Sequence, residues 1–287
     1  MTNFKNAEEL LKLCNQNHQK ISQVMKQREC DLLEVSMEQI SSRMKQVLEI
    51  MKQSAFTPIK SPTKSMGGLI GGEAQKLNAF QKTGKSICGH VLGHGITYAM
   101  AVLEVNASMG VIVAAPTAGS AGIVPGVLLA LQQEYSISDE RMVDALFHAG
   151  AIGYLAMSNA TVAGAVGGCQ AEVGVAAAMA AAAAVELMDG NPEQSLDAAS
   201  TVLMNMLGLV CDPVGGLVEY PCQNRNAAGV ANGLIAAELA LSGIHQLIPF
   251  DDMLNTMYQV GRRIPYELRE TALGGCAASP FACQFCH

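Results

Sequence analysis

The chain has 287 residues, half of them hydrophobic, with a formal net charge of −7 and a pI near 5.4. That length supports one large domain or two modest ones around a sizeable core, and an acidic chain without any Lys/Arg cluster argues against a nucleic-acid partner. With aromatics at 5%, no Trp and 28 glycines, the core is expected to come from closely approaching helices rather than large rings.

From Asn6 to about Gln53 the apolar groups Leu10, Leu11, Leu13 and Cys14, then Ile21, Val24 and Met25, predict two amphipathic helices. The opening MTNFKNAEELLK carries no apolar signal segment, so the expected location is cytoplasmic, with the nine cysteines as thiols or metal ligands. Thr57 to Glu73, with two prolines and four glycines, reads as a loop over a site. We therefore expect an N-terminal helical segment at 1–56 and a catalytic domain at 57–287, one continuous α-helical unit. Further helices are predicted near Ala74–Gln81, Ser86–Asn106, Val124–Tyr135, Ser138–Met157, Ala171–Met188, Pro192–Leu207, Ala227–Ser242 and Asp251–Val260. Ser138 before Asp139 and Glu140, and Asn191 before Pro192, supply start signals. Only Gly110–Ala115 has strand-like β-branched density, ended at once by Pro116. The expected class is all-α. Val162 to Val185 is apolar enough to weigh as a membrane span, but its Ala and Gly content and the presence of Cys169, Gln170 and Glu172 argue against one.

Three segments between helices are rich in Gly and polar residues: PTAGSAGIVPG (Pro116–Gly126), SNATVAGAVGGCQAEVG (Ser158–Gly174) and CDPVGGLVEYPCQNRNAAG (Cys211–Gly229). Glycine here either lets backbone approach a ligand closely or simply permits tight helix crossings. Cys169, Cys211 and Cys222 sit in these segments, and no pair of them forms a local C-x-x-C clip. Taken singly, each reads more readily as a small apolar core residue than as a ligand.

Together the three segments, in this order and spacing, resemble the α subunit or α domain of bacterial iron–sulfur L-serine dehydratases, over roughly Gly67 to Gly275. The resemblance implies an all-α catalytic fold, Cys169, Cys211 and Cys222 as the protein ligands of a [4Fe–4S] cluster, L-serine as substrate, no PLP, and in two-subunit members a separate β chain. Three thiolates leave one iron open to act as a Lewis acid toward the serine hydroxyl. Around that centre Arg225 and Asn226 are candidates for a carboxylate clamp, against a plain surface role for the arginine. Thr117 and Ser120 are candidate substrate donors or helix caps, and Ser158 and Asn159 have the same standing. For the base the sequence offers several choices: Glu172, three positions past Cys169 in an apolar context that raises a carboxyl pKa, reads as a base or as a hydrogen-bond partner of the cluster-ligand backbone, and His90, His94, His148 or a partner chain are the others. The i, i+4 pair His90 and His94 reads more readily as helix packing than as a metal clip.

The chain ends CQFCH, the attachment pattern of c-type haem, which the cytoplasmic expectation disfavours. A zinc knuckle from Cys276, Cys283, Cys286 and His287 is a second reading. A third has Gly274 and Gly275 acting as a hinge, so that Cys286, or Cys283, closes the open iron in the resting enzyme. Alternatives to serine chemistry are a related iron–sulfur lyase acting on L-cysteine, or a non-catalytic iron–sulfur sensor or electron carrier.

Overall fold

Side-chain caps mark where several helices begin. Asn6 accepts the Glu9 N–H at 2.8 Å and opens α1, Ala7–Asn17. Ser36 and Gln39 exchange bonds across the first turn of α3, Met37–Lys60, and Asn191 and Gln194 do the same ahead of Pro192 in α10, Pro192–Asn205. Ser138 caps α7, Asp139–Asn159, as its neighbours suggest. The computed structural model describes residues 2–285.

The remaining helices are α2 (Ile21–Leu33), α4 (Glu73–Gln81), α5 (Gly89–Ala107), α6 (Ile123–Tyr135), α8 (Gly164–Gly167), α9 (Val175–Leu187), α11 (Cys222–Leu241) and α12 (Phe250–Arg263). The fold is all-α, and among the described residues there is no strand, only an isolated bridge between Cys211 and Arg269. Gly110–Ala115 runs outside any strand. Ile112 and Val113 pack on the helical core while Val111 stays exposed, so β-branched density here serves burial without a pairing partner.

Three further expectations need correction. The N-terminal region holds three helices rather than two, because His18 and Glu34 take left-handed φ values of 50° and 54° and end α1 and α2. Such one-residue breaks leave the apolar periodicity intact. Helix α3 also runs past Thr57 through Pro58 to Lys60. A proline this close to the helix end removes a single donor where the ladder is already terminating. Finally, α11 starts at Cys222 instead of Ala227, and this places Cys222, Arg225 and Asn226 on its first turns.

At the centre lies α9, whose every residue is buried and which packs against α6, α7, α10 and α11. Its alanines present little more than backbone, so the surrounding helices approach it closely. The stretch Gln170–Leu187 is long and apolar enough to cross a membrane, and 94% of it is buried inside the protein. The contact of α5 with the start of α6 is tighter still: a Cβ on Gly122 would stand 2.3 Å from the Ala99 carbonyl oxygen. The N-terminal helices cover this bundle, α2 on α7 and α3 on α5 and α7. Beneath α2, buried His148 pairs with Glu186 at 2.6 Å, and Glu186 also accepts the Ser22 N–H at 3.3 Å.

Candidate catalytic and metal site

Three separate local structures deliver the cysteines. Cys169 follows Gly168, whose φ of 74° turns the chain where a Cβ would stand 2.8 Å from the Leu209 carbonyl oxygen. A π-helical turn, Gln170–Gly174, then carries Glu172 before α9 begins, and such wide turns often mark functional sites. Cys211 is held in extended backbone, its N–H donating to the Leu268 carbonyl at 2.9 Å. Cys222 is the first residue of α11. All three cysteines are buried.

The donor atoms of Cys169, Glu172 and Cys211 lie within 4.8 Å of one another, with Cys211 Sγ 3.8 Å from Glu172 Oε2. Gly164 lines this group closely: a Cβ there would stand 2.8 Å from Glu172 Oε2 and 3.0 Å from Cys211 Sγ. Cys222 is not a member of that tight group, but its thiol is pushed up to about 12 by burial and by neighbouring Cys169 and Glu172. The Cys211 thiol bonds to Cys169 and holds it below the ordinary thiol range, while Cys211 itself is raised by that same bond and by burial. Burial raises the Glu172 carboxyl, opposed in part by hydrogen bonds from Thr117 and Cys211. Soft sulfur donors beside one carboxylate suit a thiophilic metal centre.

The other candidates divide. Thr117 and Ser120 pair through their hydroxyls at 3.0 Å, and Thr117 also reaches Glu172. Ser120 is fully buried, so it braces Thr117. Arg225 is engaged within the protein: its Nη1 lies 2.7 Å from Asp212 Oδ1 and donates to the Val210 carbonyl at 2.8 Å, and the guanidinium lies close enough to Cys169 for the two to interact electrostatically. Asn226 is fully buried. Its Oδ1 accepts the Gly122 N–H at 3.0 Å, and its Nδ2 donates to the Gly119 and Cys222 carbonyls at 2.8 and 2.9 Å. That amide is committed to joining the PTAGSAG segment to α11, and both its donors are used.

Ser158 and Asn159 face other partners. Ser158 lines an apolar cavity with Met44, Val47 and Met157, and Asn159 Nδ2 donates to the Lys5 and Leu155 carbonyls at 2.8 and 3.0 Å. His94 stacks on Tyr98 with centroids 5.9 Å apart, and His148 belongs to the Glu186 pair described above. Cys286 and His287, invoked for the fourth ligand, the haem motif and the zinc knuckle, lie outside the described residues.

Two buried acids near the cysteines escaped the sequence analysis. Asp212 meets Arg225. Glu219 accepts the Ser65 hydroxyl at 2.6 Å and the Gly67 and Leu69 N–H groups at 2.6 and 3.0 Å, tying the glycine-rich 57–73 region onto the Cys211–Cys222 segment. The available signal was a lone carboxylate in an otherwise Gly-rich or apolar stretch, which rarely stays buried without partners.

Comparison with known proteins adds an independent line. The family described as "Serine dehydratase alpha chain" matches residues 16–277. A "Probable L-serine dehydratase, alpha chain" of Bacillus subtilis is 47% identical over 277 residues, covering 96% of this chain and 92% of the relative. The "L-serine dehydratase, alpha chain" of Peptoniphilus asaccharolyticus is 43% identical, covering 95% and 94%. In the longer "L-serine dehydratase TdcG" of Escherichia coli, 35% identity spans 96% of this chain but 61% of the relative.

Proposed function

The chain belongs to the serine dehydratase alpha chain family, and from that premise we propose that it is the catalytic α subunit of an L-serine dehydratase, converting L-serine to pyruvate and ammonia with a [4Fe–4S] cluster held by Cys169, Cys211 and Cys222. The observation that carries the reading is the meeting of buried Cys169 and Cys211 with half-buried Glu172, with Cys222 close enough for Cys169 and Glu172 to push its thiol up. The donor set fits the group, since thiolates are the usual cluster ligands. When bound, a cluster with three protein thiolates supplies a Lewis-acidic iron for the departing hydroxyl.

The chain's own residues supply the rest. Glu172, hydrogen-bonded by Thr117, takes the α-proton of serine, its basicity sharpened by burial. Thr117 and the neighbouring backbone orient the substrate. Asn226 fixes the segment that carries them, holding Gly119 and Gly122. Loss of water from serine leaves aminoacrylate, which tautomerises to the imine and takes up water to give pyruvate and ammonia, so the atoms balance. A separate β chain is proposed as the partner, in keeping with the alpha-chain relatives and the additional length of TdcG. Cys286 is proposed to occupy the remaining iron in the resting state.

The test is anaerobic purification with iron and sulfide quantified, followed by pyruvate formation on adding L-serine or L-cysteine, with and without the β chain. About four irons and four sulfides per chain, with pyruvate from serine well ahead of cysteine, is the expected result. A chain that makes pyruvate from serine without bound iron sinks the cluster reading, and equal or faster turnover of cysteine sinks the substrate reading.

A further inference from the structure

Asp212 follows Cys211 directly, is buried at 2% exposure, and has no part in the chemistry above. Its two oxygens face different elements. Oδ1 lies 2.7 Å from Arg225 Nη1, and Oδ2 accepts the Cys276 N–H at 2.6 Å. The same guanidinium lies close enough to Cys169 for the two groups to interact electrostatically. Gly275 permits the approach: its φ is +60°, and a Cβ there would stand 2.1 Å from Asp212 Oδ2. Beyond this contact the chain continues over the Cys211–Cys222 segment. Cys276, Phe281 and Phe285 form one wall of a cavity of about 480 Å³, and Leu69, Val214 and Tyr220 form another.

A buried carboxylate is tolerated only when its lone pairs are met. Asp212 Oδ2 has a backbone N–H, while Oδ1 has no aligned hydrogen-bond donor and is compensated by the charge of Arg225 beside it, and each of these groups comes from a part of the chain that borders the cysteines. Withdrawing the 274–285 segment strips Oδ2 of its donor and leaves the carboxylate wholly to Arg225, which changes how firmly the guanidinium is held against Cys169.

We propose that Asp212 is a positioning residue that latches the carboxy-terminal segment and aims Arg225 at Cys169, so that docking of the segment and placement of the guanidinium are coupled through one carboxylate. The latched segment closes one side of the cavity, and its release opens that side. The Arg225 half of the proposal rests on Cys169 being a cluster ligand; the latch half does not.

Two variants separate the duties in the full chain. Gly275→Ala drives a methyl into Asp212 Oδ2 and expels the segment while leaving the Asp212–Arg225 pair, whereas Asp212→Asn weakens both contacts. Two readouts are taken: alkylation of Cys276, followed by mass spectrometry of its peptide, and the visible absorption of the anaerobically reconstituted protein with its iron content. Cys276 alkylation is expected to rise at least about tenfold in both variants, with the absorption spectrum shifted in Gly275→Ala and shifted further in Asp212→Asn, and iron retained in both. The latch is overturned if Cys276 remains as protected as in the wild type in both variants. The coupling is overturned if Gly275→Ala exposes Cys276 and leaves the spectrum as it is in the wild type. A wild type that binds no iron would refute the proposed cluster, and the Cys276 readout would still decide the latch.

Discussion

Glu172 Oε2 stands 3.8 Å from the Cys211 sulfur, which puts a half-buried carboxylate against a thiol rather than against a counter-charge. If Glu172 is the base, Glu172→Gln keeps shape and hydrogen bonding to Thr117 and loses only the proton acceptor. Turnover of L-serine is expected to fall by ~10²–10⁴-fold with iron content unchanged. Loss of iron in this variant, measured alongside the rate, would make Glu172 a ligand or a support of the ligands instead.

Cysteine replacements sort ligands from core. Cys169→Ser, Cys211→Ser and Cys222→Ser are each expected to lose the cluster and the activity together. Cys14 and Cys30 are both buried and pack in the helical core, away from the site. Cys14→Ser is expected to retain iron and to lower stability by about 1–3 kcal/mol, the cost of burying a hydroxyl. Chemical denaturation with iron analysis on the same samples distinguishes the classes, and iron loss in Cys14→Ser would contradict the assignment.

Glu104 on α5 is fully buried; its Oε1 accepts the Ala74 N–H at 2.9 Å while its Oε2 has no partner. Burial raises its carboxyl above the ordinary 4.5, despite opposing N–H groups at the start of α4. A raised folded value means the native state holds the proton more tightly than the unfolded chain. The stabilisation is complete below about 4.5 and is lost as pH rises through the raised value, with a slope of at most ~1.4 kcal/mol per unit. Glu104→Gln, which cannot ionise, should show no such decline. Urea midpoints between pH 4 and 8 should therefore diverge, the variant gaining on the wild type as pH increases; parallel curves would exclude Glu104 as the source.

Asn226 joins α11 to the segment that carries Thr117. Asn226→Ala leaves the Gly122 N–H and the Gly119 carbonyl without their partner in a buried setting, at a cost of about 2–5 kcal/mol. It is also expected to raise KM for serine more than it lowers kcat, because the reacting groups survive while their support is loosened. A variant with wild-type stability would show that water replaces the amide at no cost.

What the sequence by itself determined were features governed by neighbours in the chain. Caps such as Asn191 with Gln194 act across three residues, and apolar periodicity repeats within a turn or two, so helix identity and most boundaries were legible. So was the grouping of Cys169, Cys211 and Cys222 with glycine, since the three motifs are contiguous strings. Where periodicity was unaffected, as at His18 and Glu34, the breaks were invisible. Only the tertiary structure decided what each polar side chain does at the site. Asn226 meets Gly119 across 107 positions, Asp212 meets Cys276 across 64, and Glu219 meets Ser65 across 154. A buried polar group must find partners, but nothing local specifies which. That choice arises when α5, α6, α9 and α11 pack closely enough to bring distant segments within hydrogen-bond reach, and it turned Asn226 from a presumed substrate contact into a brace and Asp212 from an unremarked neighbour of Cys211 into the link between Arg225 and the carboxy-terminal segment.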